Sequence, residues 1–274
     1  MTQRSSWLAT MLVCFIGAAA PVAGAQTIDI GAARIVDLTH PYNAETVYWP
    51  TSPSRFELTT LADGETPGGW YYSAYSFSTP EHGGTHMDAP KHFFRTGNAT
   101  DQVPLRQLIG RAVVIDISNQ AAKDADYTLS VADILADEAV HGPIPEGAII
   151  LLRSGWSARW PDAKTYLGDD KPGDASNLHF PSYSPDAARF LIAERCAKAL
   201  GVDTASNDPG RSTDFPVHRI MGAANIPGFE NLKGLERLPA RGAALIALPI
   251  KIEGGSGGPV RVVALVPEDT SLQQ

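Results

Sequence analysis

Residues 82–92 read His-Gly-Gly-Thr-His-Met-Asp-Ala-Pro-Lys-His, so three of the chain's seven histidines and a carboxylate fall in one short segment. Neutral imidazole and carboxylate are ligands suited to zinc or manganese, and a metal site here restricts how the chain can fold. His82, His86, Asp88 and His92 share one parity, so an extended chain would aim all four to the same side. A straight strand would still hold His82 and His86 about 13 Å apart at ~3.3 Å per residue, too far for one ion. The chain must bend between them. Gly83 and Gly84 sit at that point, and glycine tolerates a sharp bend. His86 and Asp88 need no bend, and Pro90 interrupts ladder pairing and turns the chain toward His92.

Two rival readings fail on composition. His-x-x-x-His also matches the zincin helix His-Glu-x-x-His, but Gly83 occupies the place of its general base, and two glycines, Thr85 and Pro90 make a poor helix. A histidine-rich surface loop would not need the ordered spacing. All four residues are therefore candidate ligands, one of them a candidate base.

The first 25 residues read as a secretory leader: Arg4, then an apolar stretch from Trp7 to Ala20, then Ala23-Gly24-Ala25 as an A-x-A cleavage point before Gln26. The apolar stretch is too short for a membrane span. The expected mature protein is residues 26–274, one domain, periplasmic or secreted. The whole chain carries 22 Lys and Arg against 30 Asp and Glu, a formal net charge of −8, and the leader holds only Arg4 of these. That acidity excludes nucleic acid and, once the leader is removed, anionic membranes as partners, because both call for basic patches. Cys14 departs with the leader and Cys196 is left without an internal disulfide partner.

Short apolar or alternating runs predict strands at Ala33–Leu38, Trp70–Ser78, Ala112–Ile117 and Ala148–Leu152. Ser130 caps a helix through Ala139, with Asp133 at the capping-box position. Ser184 and Pro185 start another that Gly201 ends, with Phe190, Ala193, Ala197 and Leu200 as its buried face and Cys196 a partly buried thiol beside it. Ala243–Ile252 and Val260–Val266 flank Gly254-Gly255-Ser256-Gly257-Gly258 and read as a hairpin. The pattern is α/β, a single layered domain around a mixed sheet, without the clean alternation of a barrel. The aromatic strand Trp70, Tyr71, Tyr72 and Tyr75 reads as core, with one or two rings available to a pocket. His40 and His179 read as structural and His141 as solvated. Gly254–Gly258 also satisfies G-x-S-x-G, but strand residues follow where the hydrolase elbow needs a helix, and no histidine lies beyond His218.

Partners for the histidine run fall best in Asp214-Phe215-Pro216-Val217-His218 and Pro227-Gly228-Phe229-Glu230-Asn231-Leu232. Together with Asp37-Leu38-Thr39-His40-Pro41, Trp49-Pro50, Gly201-Val202-Asp203-Thr204-Ala205-Ser206 and Pro249-Ile250-Lys251-Ile252-Glu253, these segments make the chain resemble the cyclase family of metal-dependent hydrolases. That family includes bacterial kynurenine formamidase and isatin hydrolase. The likeness implies that His82, His86 and Asp88 hold one divalent ion and that Asp88 bridges to a second held by His218 and Glu230. It also implies that His92 is the general acid/base and that Trp49 contacts substrate. Zinc or manganese, one ion or two, are compatible: isatin-hydrolase relatives manage with one, whereas Glu230 favours two. Members form homodimers or homotetramers.

The function expected from these parts is an exported, arylformamidase-like metal-dependent hydrolase that cleaves an amide, lactam or ester bond of a small aromatic or cyclic substrate. The alternatives are an isatin-type lactam or lactone hydrolase, a non-catalytic metal-binding protein and a ring-forming cyclase. A divalent ion lowers the pKa of water to around 7, and an imidazole with an ordinary pKa near 6.5 can shuttle the proton.

Overall fold

The computed structural model describes residues 27–268, and the expected leader lies outside the described residues. The strands are β1 (Arg34–Asp37), β2 (Glu57–Glu65), β3 (Tyr71–Ser78), β4 (His86–Asp88), β5 (Ile109–Asp116) and β6 (Thr128–Leu129). They continue as β7 (Ile149–Arg153), β8 (Ser182–Tyr183), β9 (Ala199–Val202), β10 (Gly228–Glu230), β11 (Ala243–Pro249) and β12 (Gly257–Val266). The helices are α1 (Leu105–Leu108), α2 (Ser118–Ala121), α3 (Val131–His141), α4 (Ala163–Leu167), α5 (Pro185–Glu194) and α6 (Pro216–Ala223). Among the described residues no helix is long and apolar enough to cross a membrane.

The main sheet is mixed, as expected, in the order β1-β12-β11-β5-β7-β9-β10-β4. It also closes on itself. β12 is long enough to carry two partners on one edge, β1 against Val263–Val266 and β4 against Gly257–Pro259. β4 in turn pairs with β10, which completes a barrel-like ring. A closing strand of three residues has too little pattern to announce itself. β5, β7, β9 and β10 run parallel, and the first three are buried on both faces, which is why they read as continuous apolar runs. Alternate side chains sort into two cores: Val114, Ile149, Leu151 and Ala199 join Met87, Phe229 and Val262 within the ring. Val113, Ile115, Ile150 and Leu152 pack against Ile134 of α3, Leu191 of α5 and Val217 of α6. A third cluster around Trp156, Tyr166 and Phe180 supports the loop that carries Trp49.

The predicted hairpin and the Ser130 capping box are present, with Asp133 N–H donating to Ser130 Oγ and Ser130 N–H donating to Asp133 Oδ2. Two expectations are corrected. Helix α5 starts at its Ser184 cap but stops at Glu194, because Cys196 enters the left-handed region (φ 51°) and Ala197 N–H donates back to Leu191. Ala199 and Leu200 then belong to β9, Ala193 and Cys196 are exposed, and the helix buries Ala187, Ala188 and Leu191 instead. The apolar spacing across 190–200 was divided between a helix and a strand. Second, Trp70, Tyr71, Tyr72, Tyr75 and Phe77 are 44–62 % exposed rather than core. β2 and β3 form a separate ribbon whose register places Leu58, Tyr71, Tyr75 and Phe77 on one face, while Thr59, Ala62, Ala74 and Ser76 occupy the other.

Candidate active site

The bend required by the sequence is built at Gly83 (φ 146°) and Gly84 (φ 59°). A Cβ at Gly83 would lie 2.1 Å from Tyr48 Cδ1, and one at Gly84 would lie 2.6 Å from Tyr42 Cζ, so neither position accepts a side chain. The Tyr42 hydroxyl pins the bend, sharing its one proton between the Gly83 carbonyl at 2.6 Å and the Thr85 carbonyl at 2.9 Å. As a result the His82 and His86 rings have centroids 5.3 Å apart instead of spanning a straight strand. Thr85 Oγ1 accepts the His40 N–H at 2.9 Å and donates to Asn231 O at 2.7 Å, anchoring the start of β4.

The ladder delivers the next partners. The β4–β10 register sets His86 directly opposite Glu230, and His86 Nε2 lies 3.5 Å from Glu230 Oε2 and 3.1 Å from Asp88 Oδ1. Helix α6 brings His218 Nε2 to 2.9 Å from Asp88 Oδ2 and 3.1 Å from Glu230 Oε1. Two donor groups therefore share Asp88: His82, His86 and Asp88, and Asp88, His218 and Glu230, with the atoms of each within 4.8 Å of one another.

Each buried imidazole spends one nitrogen on a fixed acceptor. His86 Nδ1–H donates to Gly84 O at 3.0 Å and His218 Nδ1–H to Asp208 Oδ2 at 2.6 Å, which leaves both Nε2 lone pairs aimed at the carboxylates. His86 Nε2 is buried and has no hydrogen-bond partner. An orphaned imidazole nitrogen facing two carboxylates is what a divalent cation would satisfy, so the residues present fit such an ion. Without it, burial disfavours a charge on His86, but the Asp88 and Glu230 carboxylates outweigh that and raise its pKa to about 9. Burial likewise opposes charge on Asp88, and the surrounding His82, His92 and His218 overcome this and hold its carboxyl well below the usual range.

His92 stands in neither donor group. It ends a single turn at Pro90–His92 and stacks on His82 at 3.7 Å between centroids. Burial lowers its pKa to about 4; the Asp88 carboxylate acts in the opposite direction, while His82, His218 and His86 push it further down. At neutral pH it is therefore a free base. Trp49 is half-buried, edge-on to Phe180 and tilted against Phe215. All six of these site residues, with Trp49, line one cavity of about 380 Å³ whose apolar wall includes Val47, Tyr48, Phe93 and Phe215. His40 is buried and stacked on Trp160, His179 pairs with Asp126 and His141 with Asp137, all outside this cavity.

The sequence reading missed Asp208, Asn207 and Phe93. Asp208 is fully buried and accepts Val217 N–H, His218 N–H and His218 Nδ1–H. Asn207 donates through its N–H and Nδ2 to Glu230 Oε1 at 2.8 and 3.1 Å. The only signal for the pair was an Asn-Asp-Pro run ten residues before His218.

These parts make up a hydrolase-type site with a carboxylate and imidazole donor set suited to a divalent metal. The family model Cyclase ("Putative cyclase") matches residues 36–209, and the chain belongs to that family. It is 37 % identical to an isatin hydrolase of Roseibium aggregatum over 69 % of this chain and 73 % of that one. It is 30 % identical to a kynurenine formamidase of Salinibacter ruber over 84 % of this chain and 96 % of that one. In structure it is similar to isatin hydrolase A from Ralstonia solanacearum, with a TM-score of 0.77 and 37 % identity, over 86 % of this chain and 93 % of that one.

Proposed function

We propose that this chain is an exported metal-dependent hydrolase that opens a C–N bond in a small cyclic or aryl amide, an isatin-type lactam first and an N-formyl aryl amine second. The observation that carries the reading is the His82, His86, Asp88, His218 and Glu230 donor set lining the same aromatic-walled cavity as His92. The similarity to isatin hydrolases, higher in identity than that to the formamidase, supports placing the lactam ahead of the formamide. A flat bicyclic substrate also suits walls built from Trp49, Phe93 and Phe215.

His82, His86 and Asp88 would hold one ion, and Asp88, His218 and Glu230 would hold a second if two bind, zinc or manganese in either case. When bound, the ion supplies Lewis acidity to the attacking water and to the developing oxyanion. His92, neutral and stacked on His82, takes the proton from water as the new C–O bond forms. It returns that proton to the nitrogen as the C–N bond breaks, so the amine leaves neutral. Trp49 and Phe215 hold the ring plane and exclude water from one side.

The test is to incubate the manganese- or zinc-loaded protein with isatin, N-formylkynurenine and a simple lactone, with chromatographic detection of ring-opened or deformylated product. Fastest opening of isatin, abolished by chelation, is the expected result. Preference for N-formylkynurenine would make the chain a formamidase, and no turnover of any would leave a metal-binding protein.

A further inference from the structure

The Gly254–Gly258 turn lacks the context of a serine elbow, yet it forms a wall of the metal site. Ser256 Oγ lies 2.5 Å from Glu81 Oε2 and 2.9 Å from His82 Nε2, and Ser256 N–H donates to the same Glu81 oxygen at 3.0 Å. A hydroxyl has one proton, and a carboxylate can only accept. The short contact assigns that proton to Glu81. Ser256 Oγ is then an acceptor for His82 Nε2–H, which leaves the His82 Nδ1 lone pair turned toward Asp88 Oδ1, 2.7 Å away.

The glycines make this approach possible. A Cβ at Gly257 would lie 2.5 Å from His82 Cε1, and one at Gly255 would lie 2.7 Å from Glu81 Oε1. The turn is itself fixed, with Ser256 O accepting Ala89 N–H at 2.9 Å. His82 also has the greatest need of such support: its side chain is 26 % exposed, against 3 % for His86 and 7 % for His218. Packing holds the other two rings, and Gly84 O and Asp208 set their tautomers.

The geometry points to Ser256 and Glu81 as a positioning relay that fixes the His82 tautomer and presents Nδ1 to the divalent ion. The inference rests on the metal-hydrolase reading and extends it to a motif that the hydrolysis itself does not use. Outer partners of metal-bound histidines are worth roughly 10–100-fold in metal affinity.

The experiment measures manganese and zinc dissociation constants by competition with a chromogenic chelator, together with the urea midpoint of the metal-free protein. Ser256→Ala should bind each metal at least tenfold more weakly with an unchanged midpoint, Ser256→Thr should restore affinity, and Glu81→Ala should weaken it. Affinity within twofold of wild type for Ser256→Ala overturns the relay, as does a loss that appears only alongside a lowered metal-free midpoint and is not restored by Ser256→Thr. A wild-type protein that binds neither metal would instead overturn the metal-hydrolase reading, so the two failures are distinguishable.

Discussion

Asp208 should determine both the start of helix α6 and the metal-binding tautomer of His218. Phe215 precedes the helix in a left-handed conformation and has no side chain able to cap it. Asp208, in the loop that leads into the helix, caps it in its place. Its Oδ1 accepts Val217 N–H at 2.9 Å, and Oδ2 accepts His218 N–H at 3.0 Å and Nδ1–H at 2.6 Å. The positive end of the helix favours a carboxylate there. Asp208→Asn can keep one oxygen. With that oxygen at the Oδ2 position it retains both His218 bonds but turns an NH2 on Val217 N–H, leaving that N–H and the new amide donors unpaired, at a cost of about 1–3 kcal/mol for each stranded group. The tautomer survives, and metal affinity should fall by less than about tenfold. Asp208→Ala strands three donors, so destabilisation of about 3 kcal/mol or more follows by the same scale. It also frees the imidazole to place its proton on Nε2, and affinity should fall about 10–100-fold. Urea unfolding of the metal-free protein and chelator competition measure the two effects separately. If both variants bind metal as wild type does, the tautomer argument is wrong; if Asp208→Asn weakens binding as much as Asp208→Ala, the single-oxygen accounting is wrong.

His92→Ala should retain metal affinity within about threefold and lose ~10²–10⁴ in turnover, the usual weight of a general base; normal turnover would remove the role. His40 is held neutral by burial, with its pKa lowered to about 4 from 6.5, so between those values the unfolded chain binds more protons and stability falls as pH falls. Its share is about 2 kcal/mol at pH 5, so the drop in urea stability between pH 7 and 5 should shrink by that much in His40→Phe, which keeps the ring on Trp160. Cys196→Gly should raise stability by about 0.5–1 kcal/mol, because the left-handed position that ends α5 favours glycine; an unchanged melting temperature would deny strain there.

What could be read in advance follows the range of the forces involved. The buried parallel strands, the Ser130 and Ser184 caps and the glycine bend at 83–84 are dictated by neighbours a few residues away, and each is where the sequence puts it. Apolar spacing at 3.6 residues misplaces the end of α5 because it is blind to a left-handed residue such as Cys196, and Ala197 and Leu200 are buried equally well beyond the helix. Aromatics are usually covered within their own chain, and that default alone places the aromatic strand in the core. Alternation in β3 sets Tyr71, Tyr75 and Phe77 on one face, and nothing local says whether that face is covered.

The site divides along the same boundary. His82, His86 and Asp88 could be read from local geometry, since one bend and one strand place them. His218 and Glu230 came from family likeness, because β10 meets β4 only through ring closure. Asp208, Ser256 and Glu81 were invisible for a further reason. Asp208 accepts two bonds from His218, Ser256 meets His82 across the fold, and Glu81 reaches that ligand only through Ser256; an Asp, Glu or Ser in a loop carries no periodic signal of such contacts. The contacts are informative once seen, because a buried carboxylate such as Asp208 is costly to keep unless its bonds serve something. Here they orient nitrogens toward Asp88, the one residue that both donor groups share. Loss of Asp88 should therefore empty both positions together, whereas loss of a single outer partner should weaken only the group it serves.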